Sequence, residues 1–330
     1  MKKISRVLLL LLLCAAGWLG WALLLPVEMP AGGYKLQVGP NRTMKQIAHS
    51  LAKDGAIRDS QLMVALARLT GSDRKVKAGL YRLDGSQSML DVLNRLVQGH
   101  PDEASLTTIE GWTFRQLRQA VEKNPDIRHD GRKLSDVELM QRIGLGDASP
   151  EGLFFPSTYL FTPGTSDLDM YRQAYATMRQ QLDAAWAARK PGLPYTSPYE
   201  LLTMASLIEK ETSSEADRPM VAAVFVNRLK KGMRLQTDPS VIYGMGASYQ
   251  GNIAKADLRR DTPYNTYTRA GLTPTPISMP GKAALYAAAQ PAETEALYFV
   301  ARGDGSSEFS STLEEHNQAV RKYILKKGQQ

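Results

Sequence analysis

Cysteine is almost absent from the 330-residue chain. Cys14 is the single one, so no intrachain disulfide can form and the folded part must rest on its hydrophobic core. Histidine is scarce too. His49, His100, His129 and His316 are widely spaced, no pair sits at metal-ligand spacing, and no metal site is expected. There is no glycine-rich phosphate loop and no nucleophile elbow, which leaves nucleotide-phosphate and serine-hydrolase chemistry without a motif. The net charge is +8, from 41 Lys and Arg against 33 Asp and Glu. No Lys/Arg block with interleaved aromatics accompanies it, so nucleic acid is not an expected partner. The excess reads as a solvated surface beside a membrane.

An apolar run is present at the N-terminus. Lys2, Lys3 and Arg6 precede Val7 to Leu25, 19 residues without a charge. That length suits a spanning helix, and the basic residues place the short tail in the cytoplasm. A cleaved signal peptide is the rival reading. The run is long for one, and Pro26-Val27-Glu28-Met29-Pro30 is a poor cleavage site. Leu13 before Cys14 is not small, which sets a lipoprotein aside. The expected organisation is a tail over 1–6, an anchor over 7–25, and a Pro/Gly-rich linker over 26–33. A small α+β module over 34–103 and a larger α+β domain over 104–330 follow.

The patterns inside those segments are local. Tyr34 to Val38 alternates as a strand, and Thr43 caps a helix carrying Ile47, Ala48 and Leu51. Ser60 to Leu69 is a second helix, Gly79 to Leu83 a strand and Ser88 to Val97 a helix. Further on, helices are expected from Thr113 through Val121, over Ser135 to Ile143, over Leu168 to Ala188, and from Pro219 to a C-cap at Gly232. Lys282 to Ala289 and Leu313 to Leu325 read as helices, and Leu297 to Ala301 as a strand. Pro150 to Tyr159 reads as an irregular aromatic loop.

One helix carries chemistry. Ser197 is a good N-cap, Pro198 suits the first helical position, and Glu200 completes a capping box. Leu201, Leu202, Ala205 and Ile208 recur at helical spacing, and Glu209 shares their face. Burial on that face favours the neutral carboxylic acid, and a helix end near Thr212 pushes the same way. Those conditions suit a general acid. The alternative is a helix-edge glutamate that reaches solvent or pairs with an arginine. Glu211 lies about 200° around the helix, so the two carboxylates do not converge as a dyad. Around this helix the loops are rich in tyrosine, amides and small hydroxyls. Glu211, Gln236, Thr237, Asp238, Tyr243, Tyr264, Asn265 and Tyr267 are the candidate substrate-binding residues of a cleft for a polar, uncharged polymer such as a glycan. The bland alternative is long connections with ordinary turn residues.

Taken together, these motifs resemble the YceG-like family of membrane-anchored endolytic murein transglycosylases. They are Ile208-Glu209-Lys210-Glu211-Thr212, Val226-Asn227-Arg228-Leu229, Met233 to Pro239, Val241 to Gly244, Pro263 to Tyr267 and Glu315-His316-Asn317, in the family's order. The module from Tyr34 to Gly99 resembles the family's LysM-like part. The resemblance implies cleavage of peptidoglycan glycan strands between N-acetylmuramic acid and N-acetylglucosamine, giving 1,6-anhydro ends, with Glu209 as acid and then base. It implies no metal or organic cofactor. It implies an inner-membrane, single-pass protein with its catalytic domain in the periplasm. It also implies penicillin-binding proteins and other wall-synthesis proteins as partners, with cleavage ending the growth of nascent strands. A lone acid suffices because an internal hydroxyl replaces the water that ordinary glycoside hydrolysis activates with a second carboxylate. Ser157 stands where the family often has Asp, and Ser307-Glu308 where it often has a His. Two other functions fit the same residues: a membrane-tethered peptidoglycan-binding adaptor without activity, and an ordinary muramidase.

Overall fold

The computed structural model describes residues 2–29, 33–39, 42–98 and 104–325; the side chains of residues 2–9, 12 and 15 lie outside that description. It divides into one unit of residues 1–105 with 160–165 and another of residues 106–159 with 166–330.

The smaller unit runs α1 (Lys2–Leu24), β1 (Val27–Glu28), β2 (Tyr34–Val38), α2 (Met44–Lys53), α3 (Ser60–Leu69), β3 (Gly79–Leu83), β4 (Ser86–Gln87) and α4 (Met89–Gln98). Strands β2 and β3 pair antiparallel, Tyr34 opposite Leu83 and Val38 opposite Gly79. Alternation along β2 turns Leu36 and Val38 inward, onto Ile47, Leu51, Met63, Leu93 and Leu96. Thr43 and Gln46 form a reciprocal capping box that starts α2.

Two expectations fail in this unit. Among the described residues no helix is long and apolar enough to cross a membrane. The far end of α1 is taken up by the unit itself. Ala22 is buried, Leu23 packs on the core, and the Arg58 guanidinium lies 4.8 Å over the Trp21 ring while donating to the Leu25 and Pro26 carbonyls. The anchor over 7–25 is therefore not supported. Nor are the single-pass topology, the inner-membrane and periplasmic placement, or the membrane as a partner. A LysM-like module is not evident either. The β2–α2–α3–β3 core is shared with α4 and the end of α1; within the expected linker over 26–33, β1 pairs with β4, and residues 30–32 lie outside the described residues.

The larger unit follows β5 (Ala104–Thr107) with α5 (Phe114–Lys123), α6 (Asp136–Arg142), β6 (Thr158–Phe161) and α7 (Asp167–Ala187). Then come α8 (Pro198–Glu211), α9 (Arg218–Lys230), α10 (Asp238–Met245), α11 (Lys255–Arg259), α12 (Lys282–Ala289), β7 (Tyr298–Ala301), β8 (Ser307–Ser310) and α13 (Leu313–Val320). β5 pairs with β6, and β7 antiparallel with β8. Helix α8 is the axis of this unit and packs on α7, α9, α10 and α12. Every residue from Leu201 to Ile208 is buried, so the helix is covered on all faces rather than along one stripe. Ser197 caps it by accepting from the Glu200 N–H. The Glu200 carboxylate reaches past the cap to the N–H and hydroxyl of Thr196, so the expected reciprocal box is only half made.

Candidate active site

The last turn of α8 emerges from the core with Glu209 and Glu211 on opposite sides. Glu209 faces the loop that enters α12. Its side chain is 6% exposed. Oε2 accepts from the Gly281 N–H at 3.0 Å, and Oε1 faces the buried Arg218 guanidinium at 3.5 Å. Two hydrogen bonds place that loop: Ser206 Oγ accepts from the Ile277 N–H at 3.0 Å, and Ser278 donates its hydroxyl to the Ser206 carbonyl at 3.2 Å. Glu110 lies against Gly281, where a Cβ would collide with its carboxylate. Gly111, at φ +77°, lies beside Glu209, where an added Cβ would be 3.9 Å from Glu209 Cγ, and receives the Lys210 ammonium on its carbonyl. Burial raises the Glu209 pKa. The Gly281 N–H and Arg218 oppose the rise, the Glu110 charge adds to it and Lys210 opposes it.

Glu211 faces the other way, into a cleft of about 360 Å³ bordered by Arg228, Gln236, Asp238, Tyr267, Tyr298 and His316. The Thr237 hydroxyl donates to Glu211 Oε2 at 2.6 Å, and Oε1 has no protein hydrogen bond among the described residues. Burial raises the Glu211 pKa. The Thr237 hydroxyl opposes this, the Asp238 charge reinforces it, and Arg228 opposes it. Arg228 is structural as well as electrostatic: it donates to the carbonyls of Leu297 at 2.6 Å and Leu235 at 2.8 Å, and it lies 5.1 Å over the Tyr298 ring. Gln236 is held at φ 54°, the one positive φ among the described non-glycine residues, with its side-chain oxygen on Arg228. Such strain is stored where the surroundings over-determine it. Tyr267 donates to Asp238 Oδ1 at 2.6 Å, and His316 stacks on Tyr298 with ring centres 5.2 Å apart.

The structure thus gathers Glu211, Gln236, Thr237, Asp238 and Tyr267 of the expected residues around one cleft, and sets Glu209 apart from it. Tyr243 and Tyr264 belong elsewhere. Their rings meet edge to face with centres 4.8 Å apart, and Tyr243 donates to Glu151 Oε2 at 3.1 Å. Glu151 is buried, and its Oε1 accepts from the Phe114 N–H at 2.9 Å. Asn265 is buried and committed to the backbone, donating to the carbonyls of Asp257, Leu258 and Arg260 and accepting from the Tyr267 N–H. It is a loop brace rather than a free binding group. Sequence reasoning assigned no role to Glu110, Glu151, Arg218, Arg228 or His316. Arg228 and His316 do sit in quoted motifs. Among the described residues no group of three or more His, Cys, Asp or Glu is placed to hold a metal ion.

A profile described as the YceG-like family matches residues 36–322. The chain belongs to that family. An endolytic murein transglycosylase of Bacillus subtilis is 32% identical over 329 residues, covering 94% of this chain and 90% of that protein. One from Streptococcus pneumoniae is 28% identical, covering 98% of this chain and 65% of that protein. The crystal structure of a yceG-like protein from Listeria monocytogenes aligns with a TM-score of 0.52 at 28% identity, over 86% of this chain and 98% of that one. At the level of the YceG-like family, this homology supports a lytic-transglycosylase-like enzymatic activity. The match begins inside β2 and runs unbroken through both units, so the small unit is part of the YceG-like span. At Ser157 and Ser307 the contacts are of the backbone, while the Glu308 carboxylate pairs with Arg302. Ser157 exchanges its N–H and carbonyl with Thr108, and Ser307 sits in β8 opposite Ala301.

Proposed function

We propose that the larger unit is the catalytic domain of an endolytic lytic transglycosylase acting on the glycan strands of peptidoglycan, with Glu211 as its single acid and base. The observation that carries this is the position of Glu211, in the wall of a cleft furnished with a tyrosine pair, an amide and a histidine. Sugars offer hydroxyls to such polar groups and apolar faces to such rings. Burial keeps the Glu211 proton on at higher pH than an exposed glutamate would hold it, as a general acid requires. In the reaction Glu211 gives its proton to the oxygen linking N-acetylmuramic acid to N-acetylglucosamine, and the bond from C1 to that oxygen breaks. The muramic C6 hydroxyl then bonds to C1, and its proton returns to the Glu211 carboxylate. One carboxylate serves both steps because the nucleophile is already part of the substrate.

Glu209 is the second reading, favoured by its burial and raised pKa. Against it, both of its oxygens face donors that stabilise the ionised form, the Gly281 N–H and Arg218. Asp238 in the same cleft is what a muramidase would use as its second carboxylate. The products separate these chemistries. Digestion of purified murein should release fragments lighter by one water than hydrolytic ones. Fragments with reducing ends would establish hydrolysis instead, and retention of murein without release of fragments would establish an adaptor.

A further inference from the structure

A cleft of about 730 Å³ in the smaller unit lies between the polar faces of α2 and α3 and is cationic. Lys45 and His49 lie one turn apart on α2 along one wall, Arg42 precedes the Thr43 cap on the same wall, and Arg68 stands on the other. None of the residues bordering it is acidic. Arg42, Lys45 and Arg68 form no ion pair among the described residues; the salt bridges found lie outside this unit. Arg42 is also pre-positioned. Its guanidinium donates to the Gln37 carbonyl at 2.9 Å and to Ser50 Oγ at 3.0 Å, groups that orient it without neutralising it. A guanidinium fixed in this way loses little further entropy when it engages an anion. The remaining lining adds the amides of Gln46 and Gln61 and the hydroxyl of Ser60.

We propose that this cleft binds the peptide stems of murein through their carboxylates, with the amide side chains reading the stem's peptide bonds. The inference rests on the reading of peptidoglycan as substrate and adds a second contact to it, outside the larger unit. A stem peptide carries several carboxylates and several amides on a short chain, which matches three unpaired cations beside the Gln61 amide and the NH2 group of Gln46. A phosphate polymer would use the cations but leave the Gln61 amide without a designed partner, Gln46 Oε1 being committed to the α2 cap.

The test is titration of the full chain with a synthetic stem tripeptide whose carboxylates are free, with the same peptide fully amidated, and with inorganic polyphosphate. The expected result is that the free acid binds, that amidation weakens it at least tenfold, and that added salt weakens it further. Arg42→Gln/Lys45→Gln/Arg68→Gln should lose at least tenfold. Lys45→Gln/Arg68→Gln, which leaves the Arg42 bonds to Gln37 and Ser50 in place, should show most of the loss should the triple variant fail to fold. No binding of the tripeptide, or equal binding of the amidated peptide or of a folded variant, would overturn the proposal. Binding of polyphosphate without the tripeptide would overturn it too, and would give the cleft to a phosphate polymer. The tripeptide has no glycosidic bond, so this readout fails independently of the cleavage chemistry.

Discussion

Glu151 should make this protein's stability fall as pH rises from about 4.5 to neutrality. Its carboxyl is buried between the Phe114 N–H and the Tyr243 hydroxyl, and burial moves its pKa from the ordinary 4.5 to about 7 against the pull of those donors. Between those values the unfolded chain has released this proton and the native chain still holds it, so stability declines with pH there and levels off above about 7. At 1.36 kcal/mol for each pH unit, the total is roughly 3 kcal/mol. Glu151→Gln removes the titration and keeps an oxygen to accept from Phe114. Glu209 and Glu211 titrate in the same direction, so the quantity to measure is the difference between variant and wild type. Urea unfolding followed by circular dichroism at pH 5 and pH 8 gives it. The variant should gain on the wild type by up to about 3 kcal/mol between the two. Parallel stability curves would refute the assignment of a buried, neutral acid at position 151.

Three other outcomes follow from the same physics. Thr237→Val removes the hydroxyl that stabilises the Glu211 carboxylate, so Glu211 should keep its proton to higher pH. The alkaline limb of the pH–activity profile should then move upward, and an unmoved limb would count against Glu211 as the acid. Arg218→Met leaves Glu209 buried without its cation. It should cost about 3–5 kcal/mol of stability at pH 8, and less as the pH falls and Glu209, its pKa raised by burial, takes up a proton. Adding Glu209→Gln to Arg218→Met should recover part of that loss in the same unfolding assay.

Helix α8 was legible from its ends, because Ser197 and Pro198 mark a start by local chemistry that needs no tertiary knowledge. Its sidedness was not legible. The apolar periodicity assigned Glu209 to the buried face, but Thr203 and Ser206 are buried too, and a helix covered on every side has no face that singles out one carboxylate. Which glutamate meets a cleft depends on α9, on β7 and on the Gln236–Thr237 segment, all distant in sequence from the start of α8. The tyrosine-rich loops were recognised as a group, but composition could not separate Tyr267, at the cleft, from Tyr243, bonded to Glu151. Asn265 looked like a ligand because an unpaired amide and a loop brace have the same one-letter code. The apolar N-terminal run satisfied a length criterion. That criterion does not register that Ala22 and Leu23 pack on the small unit. Strand β8 and helix α10 were missed because they are short, and their stability comes from packing rather than propensity.

The central claim is that Glu211, not Glu209, moves the proton. The direct measurement is the yield of 1,6-anhydro-ended fragments from purified murein, by mass spectrometry, for wild type, Glu211→Gln and Glu209→Gln, each checked for folding by circular dichroism. A positioned general acid contributes about 10²–10⁴-fold, so Glu211→Gln should fall by at least about 100-fold while folded Glu209→Gln retains measurable turnover. Anhydro ends at the wild-type rate from Glu211→Gln, or their loss only in folded Glu209→Gln, would contradict it.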